Sequence, residues 1–112
     1  MATESDFQEK RRHRRKSVKI VSLLKMGVYL SGRGYARDIS IGGMCLVAPN
    51  LFKLTKQSQV NEYIGAHIKI VFPSPSLTVN GTIVWISHAK GEAGLTITGT
   101  SNDELWKQLC AD

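Results

Sequence analysis

Asp38-Ile39-Ser40-Ile41-Gly42-Gly43, followed at once by Met44-Cys45-Leu46, is the stretch around which the rest of the chain is organised. A carboxylate, a hydroxyl and a glycine pair lie close together there, between two apolar runs that read as strands. Asp38 and Ser40 are two positions apart, so on a strand they share a face. The same residue types also make ordinary turns, in which short polar side chains bond nearby backbone and glycine takes positive φ. The residues alone leave two readings open: a plain hairpin corner, or a corner that presents Asp38 and Ser40 on the surface.

Working outward, residues 17–24 place Val18, Ile20 and Leu24 on one face and Val21 and Leu23 on the other, which predicts a strand. Residues 33–39 and 44–47 read as the second and third strands, with 38–43 as the turn between them. Pro49 ends the third, and residues 50–63 form a polar connection with a helical turn at 51–54. Ile68, Ile70 and Phe72 alternate with His67, Lys69 and Val71 in a half-buried strand, and Pro73-Ser74-Pro75 forces a turn. Asn80-Gly81 is a hairpin signal on its own, yet Leu77, Val79, Ile83 and Trp85 keep one parity straight through it. One long strand with a bulge or close approach at Gly81 fits better, and that parity puts Trp85 in the core. Leu95 and Ile97 alternate with Thr96 and Thr98 in the last strand. Ser101 and Glu104 then form a capping box, opening a short helix with Leu105, Trp106, Leu109 and Cys110 on its apolar face. The sum is an all-β fold: a six- to seven-stranded antiparallel barrel over residues 17–112 with a C-terminal helix, preceded by an arm over residues 1–16.

The charge is uneven. The 112 residues carry a net charge of +6, but seven cations lie between Lys10 and Lys19 with no acid among them. The body is close to neutral, and the basicity belongs to the arm, which has no apolar stripe to bury and reads as extended and mobile. Such a block suits an anionic partner: nucleic acid, nucleotide or acidic lipid. No apolar run approaches the roughly 20 residues that span a bilayer, and no apolar h-region follows Glu4, Asp6 and Glu9. Cys45 and Cys110 show no ligand spacing and are expected as buried free thiols in a reducing cytoplasm.

Enzymatic chemistry has little support. His13, His67 and His88 are scattered, and Asp38 with Ser40 lacks a base. Gly42-Gly43 is not a phosphate loop, since no Lys-Ser/Thr follows it and no helix opens there. Neither a catalytic residue, a metal nor a cofactor is expected. What remains is recognition. The arm is mainly arginine, whose planar fork of donors stacks on rings and grips phosphate, and it abuts the first strand. An ionised carboxylate presents two acceptors side by side, which matches the N1–H and N2–H edge of guanine, while arginine matches the O6 and N7 edge. An anionic, guanine-bearing ligand satisfies Asp38 and the arginines together.

Arg11-x-x-x-Arg15 followed by Asp38-x-Ser40-x-x-Gly43 resembles the paired signature of the PilZ domain, the bacterial receptor module for cyclic di-GMP. The likeness extends over residues 10–110, through the strand from Ser17, the Gly81–Trp85 run, and Gly94-Leu95-Thr96-Ile97 ahead of the terminal helix. The resemblance implies a six-stranded barrel with the arginine arm as a lid. It assigns phosphates and a guanine Hoogsteen edge to Arg11 and Arg15, a guanine to Asp38 and Ser40, and close approach to Gly43. Arg12 and Arg14 are extra cations for phosphate or a second stacked ligand, and Gly42 and Trp85 are further candidates beside the site. The expected role is a cyclic di-GMP-dependent effector that acts on a separate protein in motility, polysaccharide secretion or pilus assembly. Two rivals stand beside it: a nucleic-acid-binding barrel, disfavoured by the lack of a row of exposed aromatic residues, and a PilZ-like adaptor that binds only protein. Binding to DNA or RNA and membrane insertion are not expected.

Overall fold

The computed structural model describes residues 15–27, 30–52 and 61–111. Arg11, Arg12, Arg14 and most of the expected arm lie outside the described residues, as does the second half of the helical turn expected at 51–54. The elements are β1 (Lys16–Met26), β2 (Leu30–Ser40), β3 (Gly43–Val47), α1 (Pro49–Phe52), β4 (His67–Pro73), β5 (Ser76–Ser87), β6 (Glu92–Thr100) and α2 (Asp103–Cys110). All strand pairs are antiparallel, and the order β1-β2-β3-β6-β5-β4 closes into a six-stranded barrel through the β1–β4 ladder. The closing ladder is short, pairing Leu23, Leu24 and Lys25 of β1 with Val71, Ile70 and Lys69 of β4.

Period-two alternation builds the core. Leu24 and Met26 of β1, Ile68, Ile70 and Phe72 of β4, and Leu77, Val79 and Ile83 of β5 point inward and are buried. Val21 and Leu23 point outward and are exposed, as their parity requires. The inward hydroxyl of Ser22 is satisfied by donating to the Ile20 carbonyl at 2.9 Å, so its burial leaves no orphan. β2 begins three residues earlier than its apolar pattern suggests, at Leu30, because the ladder with β1 carries Ser31, Gly32 and Arg33 regardless of hydrophobicity. Gly34 is required by close approach: a Cβ there would lie 2.1 Å from the Val47 carbonyl oxygen and 2.9 Å from Ala48 Cβ.

β5 runs unbroken from Ser76 to Ser87 and keeps its parity through Gly81, as expected; the register shift opposite Asn80 and Gly81 is taken up in β6, where Thr98 is skipped. Gly81 is also a point of close approach, since a Cβ would meet the Thr96 carbonyl oxygen at 2.7 Å. A second irregularity, between Ile83 and Trp85, overturns the expectation that Trp85 is a core residue. One extra residue in β5 flips the parity beyond it. Ile83 pairs with Leu95 inside, whereas Trp85 pairs with Gly94 on the outer face and is 40% exposed. The indole lies across Gly94, where an added Cβ would meet Trp85 Nε1 at 2.0 Å.

The helix α2 lies against the barrel. Trp106 is buried in the core and stacks on Phe72 with centroids 6.4 Å apart, and Leu105, Leu109 and Cys110 are half-buried against the same cluster. The N-cap is Asn102, not Ser101: Asn102 Oδ1 accepts from the Leu105 backbone N–H at 3.1 Å. Ser101 is drawn away to β5, where its hydroxyl accepts from the Thr78 N–H at 2.9 Å. Among the described residues, no helix is long and apolar enough to cross a membrane.

Candidate functional site

The corner at residues 38–43 is a short hairpin. Asp38 and Ser40 are strand residues, and only Ile41 and Gly42 form the turn. The ladder pairs Asp38 with Cys45, Ile39 with Met44, and Ser40 with Gly43. Ile39 and Met44 point into the core, so Asp38, Cys45, Ser40 and Gly43 belong to the outer face. A bulge just before, between Ala36 and Asp38, leaves Arg37 without a partner across β3. Arg37 and Asp38 therefore both project outward, although they are consecutive in sequence.

The turn is pinned from two sides. The Ile97 N–H donates to the Gly42 carbonyl at 3.0 Å, and Trp106 Nε1 donates to the Ile41 carbonyl at 3.2 Å. Burial of the terminal helix thus holds the corner in place. Gly42 and Gly43 do not supply positive φ; among the described residues that conformation belongs to Gly27, Gly65 and Gly91. Gly43 is needed for proximity instead. A Cβ there would sit 3.0 Å from the Leu95 carbonyl oxygen and 3.6 Å from Arg15 Nη2.

Beside this corner lies an open cavity of about 650 Å³, lined by Arg15, Ser40, Gly42, Gly43, Val84, Leu95, Thr96 and Ile97. Arg15 stands just ahead of β1 and reaches across the wall, its Nη1 donating to Asp38 Oδ1 at 2.5 Å. Arg15 and Asp38, one residue from each half of the signature, therefore meet over a separation of 23 residues beside one cavity. Lys16, next in sequence, donates to the Leu109 and Ala111 carbonyls at 3.1 and 2.7 Å. A cation at the C-terminal end of α2 satisfies orphan carbonyls and complements the helix dipole, which tethers the root of the arm. Ser40 is almost fully buried, and its hydroxyl donates to the Gly43 carbonyl at 3.3 Å.

The carboxylate of Asp38 is enclosed by charge. Its other oxygen, Oδ2, faces Arg37 Nε at 3.4 Å, and Arg37 Nη1 reaches Glu92 Oε2 at 2.7 Å. The row Arg15–Asp38–Arg37–Glu92 alternates in sign across the outer face, with the carboxylates sheltered (side chains 16% and 12% exposed) and the guanidinium groups open to solvent. Cys45 lies in the same neighbourhood, buried. Burial pushes its thiol up, Arg37 and Arg15 oppose that shift, and Asp38 and Glu92 add to it. The raised thiol is a poor nucleophile. Arg37 is in turn held above its ordinary value by Cys45 first, then by Glu92 and Asp38.

Of the expected site residues, Arg15, Asp38, Ser40, Gly42 and Gly43 come together. Trp85 does not line the cavity; its place is taken by Val84, 49% exposed, which the β5 bulge turns outward one residue before it. Val84, Thr96, Arg37 and Glu92 are additions that the sequence did not single out. Arg37 carried a faint signal, a charged residue next to Asp38 in the run read as the second strand, whereas Glu92 becomes relevant only through the barrel's closure.

The sequence pattern of the PilZ domain matches residues 9–111. No curated protein matches the chain. Among solved structures, the Bacillus subtilis inhibitor of motility (MotI/DgrA) superposes with a TM-score of 0.67 at 14% identity, over 90% of this chain and 49% of the other, so this chain spans about half the length of that protein. The PilZ domain of CeSA from a cellulose-synthesizing bacterium superposes with a TM-score of 0.57 at 16% identity, over 86% of this chain and 88% of the other. At such identities the likeness is one of fold.

Proposed function

The chain belongs to the PilZ domain family, and from that premise we propose that it is a cyclic di-GMP-binding effector whose surface changes on ligation to regulate a separate protein. The observation that carries this reading is the contact between Arg15 and Asp38 at the mouth of the cavity walled by Ser40 and Gly43. The groups that would grip opposite edges of a guanine lie in contact with each other.

In the proposed mechanism the dinucleotide exchanges that contact. Its guanine N1–H and N2–H donate to the Asp38 carboxylate, and Arg15 turns to the phosphates and the O6/N7 edge. Ser40 adds a hydroxyl at the wall, the bare Gly43 lets the ligand approach the backbone, and Val84 offers an apolar surface to a base. Arg11, with Arg12 and Arg14 as further cations, completes the phosphate clamp. The surface pair given up is worth only about 0–1 kcal/mol, whereas each charge-assisted hydrogen bond gained is worth about 1.5–3 kcal/mol. Lys16, next to Arg15 in sequence, is bonded to the end of α2, which gives ligation a route to a surface that a partner reads. Free thiols at Cys45 and Cys110 suit the cytoplasm, where such a messenger acts. The fold is shared with a protein described as an inhibitor of motility and with a domain from a cellulose-synthesizing bacterium, which makes motility and polysaccharide machinery the first partners to test.

Calorimetry with cyclic di-GMP, GTP and cyclic di-AMP tests the reading. The expected result is binding of cyclic di-GMP alone at micromolar concentrations, abolished or much weakened in Arg15→Ala. Unchanged affinity in that variant refutes the clamp.

A further inference from the structure

We propose that Arg37 and Glu92 act as a positioning pair that holds the Asp38 carboxylate in place while Arg15 leaves it, a role that rests on the cyclic di-GMP reading above. Arg37 does not line the cavity. It reaches Asp38 from the far side, at Oδ2, while Arg15 holds Oδ1 from the cavity side. Its guanidinium spans two carboxylates at once, with Nε toward Asp38 at 3.4 Å and Nη1 on Glu92 at 2.7 Å. A planar fork does this; a lysine ammonium is a single point charge on a flexible stem.

Three features make this more than a surface ion pair. First, the bulge in β2 leaves Arg37 without a cross-strand partner and turns it to the same side as Asp38, and bulges of this kind re-aim side chains next to sites. Second, Glu92 is the more sheltered carboxylate and lies at the start of β6, opposite Val47, so it anchors Arg37 to a different part of the wall. Third, the sign alternation has a job once ligand arrives. When Arg15 swings to the dinucleotide, Arg37 remains as the cation beside Asp38 and separates it from Glu92. Glu92 in turn occupies Arg37 and keeps it from following Arg15 to the phosphates. Among the described residues, the charged and titratable groups around Asp38 are Arg15, Arg37, Cys45 and Glu92, and of these only Arg37 is both cationic and outside the cavity.

The experiment is calorimetry with cyclic di-GMP, paired with thermal melting, on wild type, Arg37→Gln, Glu92→Gln and the charge swap Arg37→Glu with Glu92→Arg. Arg37→Gln is expected to weaken binding about tenfold, the equivalent of one charge-assisted hydrogen bond, with Glu92→Gln losing less. The swap rebuilds the 37–92 bridge but sets an anion against Asp38. Its melting temperature should therefore lie nearer to wild type than that of Arg37→Gln, while its affinity stays at or below the Arg37→Gln value. Recovery of affinity in the swap would reduce the pair to scaffolding and overturn the proposal, as would wild-type affinity in Arg37→Gln. If Arg37→Gln does not fold, Glu92→Gln decides, and wild-type affinity there overturns the proposal. Failure of wild type itself to bind refutes the ligand, and the pair's role falls with it; the wild-type titration separates that outcome from the other two.

Discussion

Asp38→Ala is the substitution with the most to say about the site. The carboxylate offers two oxygens, and in the proposed complex each accepts one N–H from a guanine edge. Two charge-assisted hydrogen bonds at about 1.5–3 kcal/mol each sum to about 3–6 kcal/mol. Against this, wild type must first give up the Arg15 contact, which the variant does not have. With Arg15 about half exposed, that term is at most about 1 kcal/mol. The net loss is about 2–5 kcal/mol, or from about thirtyfold to several thousandfold in affinity at about 1.4 kcal/mol per decade. The same weakness of exposed pairs predicts little damage to the fold: removing the contacts to Arg15 and Arg37 should cost no more than about 2 kcal/mol of stability. Titration calorimetry with cyclic di-GMP at fixed salt, beside a thermal melt of each protein, reads both quantities. A folded Asp38→Ala protein that binds within threefold of wild type would show that the carboxylate faces no guanine, and the role assigned to this corner would be lost.

Trp106→Ala should destabilise by about 3–5 kcal/mol, because the ring is buried and stacked on Phe72, whereas Trp106→Phe should cost less by keeping most of the packing and losing mainly the bond to the Ile41 carbonyl; chemical denaturation distinguishes the two. Gly34→Ala should cost at least about 1–3 kcal/mol, since its Cβ would sit 2.1 Å from a backbone oxygen that cannot swing aside, and the melting temperature should fall by several degrees. The Cys110 thiol is pushed up to about 11, chiefly by burial, against an opposing pull from Lys16. The unfolded chain then loses that proton near pH 9 while the folded chain keeps it, so stability falls as pH rises from about 9 to 11. Denaturation midpoints across that window should fall less steeply in Cys110→Ala than in wild type.

Much of the barrel was legible because period-two burial writes itself into a strand. Ile68, Ile70 and Phe72, or Leu77, Val79 and Ile83, are buried because each pleat turns alternate side chains to one side, and the apolar positions follow that geometry. The same rule failed at Trp85, because one extra residue in β5 reverses the parity and nothing local marks a bulge between Ile83 and Trp85. It also concealed Arg37, which a second bulge turns to the side of Asp38. The cap of α2 moved from Ser101 to Asn102 because the Thr78 N–H, from a strand distant in sequence, took the serine hydroxyl.

Local chemistry was therefore enough for the strands, the terminal helix and the Asp38–Ser40–Gly43 corner, since each depends on residues a few positions apart. Which groups face one another was decided by closure of the barrel. Arg15 meets Asp38 across 23 residues, Arg37 meets Glu92 across 55, and Trp106 holds the Ile41 carbonyl across 65. No neighbouring residue records such a meeting, because it arises from ladder register and strand order, which hydrogen bonding and burial select over the whole chain at once.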